Sequence, residues 1–282
     1  MIIDGHAHMI TASIMKALSV DENTKKRLQH EWTDNSIDKH KETWIEAMDK
    51  WNIEKTVFMA NSSLNKEFTD FINTSERFIG CAKVNPEESD AVLHLEKEYE
   101  NGMRGVKIYA TGDGCDVGAK ECYPVYEFCA RKKLPIIIHF GVTIGHKSNL
   151  FEGNPLRLSS PLKEFPDVNF IIAHFGAGFF RETLMLKYKQ DNLYVDTSGT
   201  NNWTDYQDSF LTLKDVFKKS IEIFSSEGII FGTDTRIFPH GYREHILKQQ
   251  RGILDELKTE MNLSELDIEN IMYNNAKRVF RL

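Results

Sequence analysis

Short apolar runs, rich in β-branched residues, recur along the chain at 1–4, 55–60, 78–84, 105–109, 135–139, 169–174, 193–196 and 229–232. Runs of this length read as strands, and their lack of alternation predicts strands covered on both faces. Amphipathic stretches lie between them. Segment 40–52 carries Trp44, Ala47, Met48 and Trp51 at helical spacing, and 89–100 places Val92, Leu95 and Tyr99 on one face. Segment 124–133 opens on a proline suited to a first helical turn, and Asn154-Pro155 reads as an N-cap followed by such a proline. Segments 179–188, 212–225, 244–257 and 264–280 complete the helical set. Strands alternating with helices imply a parallel sheet, and eight repeats predict closure into a (β/α)8 TIM barrel. The rival, a doubly wound open sheet, places a glycine-rich phosphate loop after its first strand, and none is present here.

The 282 residues suit one such barrel, so 1–282 reads as a single domain. Two connections are unusual. The long, charged stretch 9–38 follows strand 1 and reads as a lid or substrate wall, and the glycine-rich 110–121 follows strand 4. The net charge of -7 and the absence of a basic run argue against nucleic acid as a partner. No apolar stretch approaches the length of a membrane span, so no membrane partner is expected either. The opening Met1-Ile2-Ile3-Asp4 reads as a strand, not a secretory signal, and the four cysteines show no C-x-x-C spacing. Both point to a cytoplasmic chain with reduced thiols.

Candidate chemistry sits at the strand ends. His6 and His8 close strand 1, and residues two apart in a strand share a face. His139 ends strand 5, His174 ends strand 6, and Asp234 follows strand 8. In a barrel these ends converge on one pocket, where active sites lie. Four of the ten histidines fall there, instead of scattering over helices and loops. Imidazoles and a carboxylate converging on one mouth form a divalent-metal site; zinc suits such N/O donors, and manganese, cobalt or iron also fit.

The D-x-H-x-H opening resembles that of the amidohydrolase superfamily. The segments IIDGHAH, GVKIY, PIIIHFG, PDVNFIIAHFGAG, LYVDTSG, IIFGTD and NNAKRVF resemble, in order, its amidohydrolase-2 branch. That branch includes the aminocarboxymuconate-semialdehyde and resorcylate decarboxylases. The resemblance implies that His6, His8, His139 and Asp234 hold one metal ion, that Asp234 also carries a proton, and that His174 polarises substrate. Lys107 of strand 4 matches the position of a carboxylated, metal-bridging lysine in binuclear relatives; its other reading is a cation gripping a substrate carboxylate. The first reading would bring a second metal, the second a mononuclear site. Dimers are common among relatives, which makes a homodimer an expectation. Strand 8 departs from the pattern: Thr233-Asp234-Thr235 stands where many relatives have serine, aspartate, tyrosine and proline.

Arg181, Arg236, His240 and Arg243 are further candidates for binding an anionic group, and Trp32 and Trp203 for covering a ring. Asp196 reads as an orienting residue without a catalytic role, and Asp113 and Asp116 resemble a calcium loop only in composition. The leading function is metal-dependent hydrolysis of a C–N or C–O bond in a small polar or cyclic substrate. The alternative is non-oxidative decarboxylation of an aromatic or enol carboxylic acid. A third is a non-catalytic barrel or a metal-free lactonase.

Overall fold

The computed structural model describes residues 1–11, 14, 36–62, 66–143, 148–188, 190–207, 210–238 and 240–282. Eight parallel strands follow one another in chain order: β1 (Ile2–His8), β2 (Ile53–Met59), β3 (Phe78–Lys83), β4 (Gly105–Ile108), β5 (Ile136–Ile138), β6 (Phe170–Ile172), β7 (Leu193–Asp196) and β8 (Ile229–Ile230). The ring closes between β8 and β1 through the Ala7–Thr235 bridge and the bonds Gly5 N to Phe231 O and Asp234 N to His6 O. A Cβ on Gly5 would stand 2.5 Å from Ile230 Cγ2, so closure at this point requires glycine.

Alternation within the strands separates two apolar layers. Ile3, Val57, Met59, Cys81, Ile137, Ile171 and Ile230 pack together as one cluster. Ile2, Phe58, Ala82, Val106, Ile108, Ile136, Phe170, Val195 and Ile229 belong to the larger cluster shared with the helices. That arrangement is why the strands read as unbroken apolar runs. The first cluster is closed by Tyr273, Ala276, Val279 and Phe280 of the final helical segment.

Among the described residues, the α-helices longer than a single turn are α1 (Ile37–Trp51), α2 (Lys66–Ile72), α3 (Ala91–Glu100), α4 (Tyr123–Lys132), α5 (Phe180–Leu186), α6 (Leu213–Phe224), α7 (Glu244–Glu260), α8 (Glu265–Glu269) and α9 (Asn275–Phe280), with a π-helical turn, Asn270–Asn274, joining the last two. The expected Asn154 cap is present: its Oδ1 accepts from Leu156 N at 3.0 Å, ahead of a 3₁₀ turn. Helix α2 has no counterpart in the sequence reading, and one helical turn, Ala110–Asp113, opens the expected loop 110–121. Of the expected lid 9–38, residues 12–13 and 15–35, with Trp32, lie outside the described residues. No helix among the described residues is long and apolar enough to cross a membrane.

Candidate metal centre

Three imidazoles and two carboxylates meet at the carboxyl end of the barrel. Among the described residues, His6, His8 and Asp234 offer ligand atoms within 4.8 Å of one another, and His6, His174 and Asp196 form a second such group. His139 belongs to neither group. Its ring stands 4.9 Å from that of His174, which is itself 4.9 Å from His6.

Hydrogen bonds fix which nitrogen of each ring is free. His6 Nδ1 lies 2.7 Å from Asp196 Oδ2, and its Nε2 is buried with no hydrogen-bond partner. A carbonyl oxygen only accepts, so a ring nitrogen facing one carries the hydrogen. His8 Nδ1 faces Met59 O at 3.2 Å, His174 Nδ1 faces Ser198 O at 3.0 Å, and His139 Nε2 faces Val142 O at 3.1 Å. The bare positions are therefore Nε2 of His6, His8 and His174, and Nδ1 of His139. Burial, the largest effect, pushes His6 down to about 3 and lowers His8 and His139 as well, so these rings are neutral at pH 7.

His8 Nε2 lies 3.1 Å from Asp234 Oδ1. In this tautomer a lone pair faces a carboxylate oxygen. Two acceptors at that separation need a cation or a proton between them. Together with the orphaned His6 Nε2, this donor set fits a divalent ion. Each of these rings is anchored through its other nitrogen, which is what metal-bound histidines require.

Asp196 organises the site more than the sequence suggests. Its Oδ1 accepts from His174 N at 2.9 Å, Ser198 N at 3.1 Å and Ser198 Oγ at 2.5 Å, while Oδ2 takes His6 Nδ1. Burial pushes its carboxyl up, but His6, His174 and these donors outweigh it and hold the group well below the usual carboxylate range. Ser198 Oγ also lies 2.8 Å from His174 Nδ1 and 3.1 Å from His6 Nδ1, so one hydroxyl ties both rings to one carboxylate. A Cβ on Gly232 would lie 2.9 Å from His6 Cβ and 3.0 Å from Ser198 Cβ, so β8 meets this cluster only through glycine.

Backbone strain concentrates here. His174, Phe175, Gly176, Ala177 and Gly178 all have positive φ, at 55°, 55°, 91°, 42° and 106°, and Asp234 has φ 58°. Each non-glycine in this region costs on the order of 1 kcal/mol or more, and such residues cluster at functional sites. The turn carries His174 away from β6 onto Ser198.

Cations flank the centre. Lys107 is fully buried and its Nζ has no hydrogen-bond partner, with the Tyr109 ring 5.0 Å away. Burial pushes its ammonium down to about 8, against the pull of Asp196 and Asp234. Arg243 Nη1 donates to Asp234 Oδ2 at 2.9 Å, and Arg236, half-buried, is lowered by burial and by Arg243 beside it. Arg181 pairs with Glu182 on the surface, His240 is exposed, and Trp203 is buried with its Nε1 on Asn201 Oδ1. Asp113 and Asp116 pair with Lys83 and Arg157, not with each other. Asp4, the acid of the D-x-H-x-H opening, binds Thr233 N and Oγ1 and Tyr242 OH, bracing β1 against the segment after β8. Ser198, Thr233 and Tyr242 are not metal-binding residue types and nothing in their local sequence singles them out, although Ser198 shares the strand parity of Asp196.

Comparisons with known proteins agree with this architecture. The 5-carboxyvanillate decarboxylase of Sphingomonas paucimobilis superposes with a TM-score of 0.68 at 14% identity, covering 100% of this chain and 99% of that one. An amidohydrolase from Burkholderia multivorans with bound zinc gives a TM-score of 0.69 at 12% identity over 100% and 99%. Protein fluG of Emericella nidulans is 28% identical over 110 residues, spanning 38% of this chain and only 12% of that longer protein. The amidohydrolase family profile, of the amidohydrolase-2 type, matches residues 3–282, and the chain belongs to that family.

Proposed function

We propose that the protein is a metal-dependent hydrolase that cleaves a C–N or C–O bond in a small substrate bearing a carboxylate. The observation carrying this reading is the bare His6 Nε2 beside the His8–Asp234 pair, a donor set that asks for a cation. His6, His8 and Asp234 would hold the ion, with His139 completing the set through Nδ1. Zinc is the favoured ion, supported by the donor types and by the zinc-bound Burkholderia multivorans relative. When bound, a divalent ion in such a site lowers the pKa of water and polarises a coordinated oxygen.

The chain's own residues supply the rest. Asp234 accepts a proton at its carboxylate and returns it to the leaving group, while Arg243 holds Oδ2 in place. His174 presents Nε2 to the substrate. In its neutral form this atom accepts a hydrogen bond; it donates to a developing oxyanion only as imidazolium. Lys107, buried and unpartnered, grips the substrate carboxylate. The same grip serves decarboxylation, the second reading, and the Sphingomonas paucimobilis relative favours it. Four buried, unlinked cysteines support a cytoplasmic location.

Metal content per chain and turnover test the proposal together. About one equivalent of zinc, lost in His6→Ala along with activity, supports it. About two equivalents would recast Lys107 as a carboxylated bridge. Solvent oxygen entering the product marks hydrolysis, and CO₂ release without it marks decarboxylation. No metal after reconstitution, or full activity in Asp234→Asn, overturns the reading.

A further inference from the structure

The opposite end of the barrel carries a second cavity, independent of the metal centre. It has a volume of about 400 Å³; its charged side chains are Lys55, Arg104, Lys132, Lys133 and Arg281, with no Asp or Glu, and the backbone carboxylate of Leu282 lies on its wall. Leu134 and Phe280, both buried, form part of its apolar floor. In a chain of net charge -7, five cations around one cavity form a marked local reversal.

The bland account is that these residues neutralise helix C-termini. Lys132 and Lys133 end α4, Arg281 follows α9, and Arg104 comes just after α3. Each helix end carries about half a negative charge, so three ends offset about 1.5 of the five positive charges. Other internal acceptors are few. Lys55 Nζ donates to Glu76 O at 2.8 Å, and Arg104 Nη1 donates to Tyr99 O and Met103 O. Arg104 and Lys132 both lie over the Tyr99 ring, at 5.2 and 4.8 Å. None of the five is in an ion pair among the described residues. Leu282 also lines the cavity and its backbone carboxylate offsets one more, so about two to three positive charges are left without a counterion.

We infer that this cavity binds a small organic polyphosphate. Several closely spaced cations match the charge density of linked phosphates, and ammonium and guanidinium groups both bind phosphate oxygens. The volume lies in the range of small-molecule sites, and the apolar floor accommodates an organic portion. Arg104 leads into β4 and Lys133-Leu134 into β5, the strands whose far ends carry Lys107 and His139.

Lys133 and Arg281 both sit in left-handed backbone, at φ 57° each, which asparagine also adopts. The variant Lys133→Asn/Arg281→Asn therefore removes two charges without new strain. Calorimetry on the metal-loaded full chain, with inorganic tripolyphosphate and with ATP, tests the site. Expected are binding of both at low salt, ATP more tightly, weakening in 0.5 M salt, and at least a tenfold rise in Kd in the variant with metal content unchanged. The exposed Lys163→Asn should leave Kd unaltered. Charge reversal at Lys133 alone serves if the double variant does not fold. Absence of binding at millimolar probe, or equal affinity in wild type and variant, overturns the proposal.

Discussion

Lys107 places an ammonium close to Cys81, His6, His8 and His139 without a hydrogen-bond partner, so its removal should stabilise the fold and cripple function together. The perturbation is Lys107→Met, which keeps length and drops charge. Burial lowers the group from 10.5 to about 8. At ~1.4 kcal/mol per unit, keeping it charged costs about 3 kcal/mol. The sign follows from proton counting. Between pH 8 and 10.5 the unfolded chain binds more protons at this site than the folded one, so wild-type stability rises with pH across that window. Below pH 8 the full penalty applies.

Urea denaturation of chelator-treated protein is the assay. At pH 7 the variant should be more stable by roughly 3 kcal/mol, equivalent to roughly 5 °C or more in Tm for a chain of this size. The gap should close as pH approaches 10. Loss of one charged hydrogen bond should meanwhile lower kcat/KM on carboxylate substrates by about 10- to 100-fold. A variant less stable than wild type at pH 7 would refute the reasoning, because the ammonium would then have a compensating partner.

Three further outcomes follow from the geometry. Ser198→Ala removes the hydroxyl that links the His6 and His174 rings to Asp196 Oδ1, leaving His6 held by Asp196 Oδ2 alone, and should weaken metal affinity by about 10- to 100-fold in chelator competition; unchanged affinity removes Ser198 from the site's support. Gly232→Ala drives a Cβ into His6 and Ser198, and should cost about 1–3 kcal/mol in denaturation while abolishing metal retention. His40 is buried against Phe71 and Phe238 with both ring nitrogens unpartnered, and burial pushes it from 6.5 down to about 4. The folded state then binds fewer protons than the unfolded one between pH 6.5 and 4, so stability falls as pH drops through that window. His40→Leu should remove about 2 kcal/mol of the loss seen between pH 8 and pH 5; identical pH profiles would show that His40 titrates normally.

The barrel was legible because its strands are covered on both sides and therefore apolar throughout, and 193–196 coincides with β7. Ends were less so. The run 169–174 yields only Phe170–Ile172, since His174 leaves extended backbone for φ 55°, a turn no glycine at that position announces. The run 1–4 extends to His8 because β1 continues along β2 through an irregular register around Gly5 and His6, and closes on the segment after β8. Helix α2 is only seven residues long, too short for a periodic signal. Of the candidate ligands, strand parity brought His6 and His8 to one side. The position of His139 beyond His174 depends on the loops after β5 and β6, which meet where Val142 N donates to Ala177 O. Local pattern carries no information about such a contact.

The two buried carboxylates nearest the histidines show how environment, not residue type, assigns roles. Asp4 and Asp196 are both sealed from solvent and both accept several hydrogen bonds. The donors to Asp4 are backbone and hydroxyl groups, all neutral, and burial prevails, raising it to about 6. Asp196 accepts from the His6 ring, from His174 N and from Ser198, lies within reach of the Lys107 charge, and stays ionised. A fixed negative charge behind His6 increases the basicity of that ring and makes binding a cation at Nε2 more favourable. Asp4 contributes no comparable field; it braces β1 against Thr233 and Tyr242 and so sets the direction in which His6 and His8 project. The D-x-H-x-H opening thus divides its labour. Its acid fixes geometry, while the charge that tunes the histidines comes from strand 7, nearly two hundred residues later in the chain.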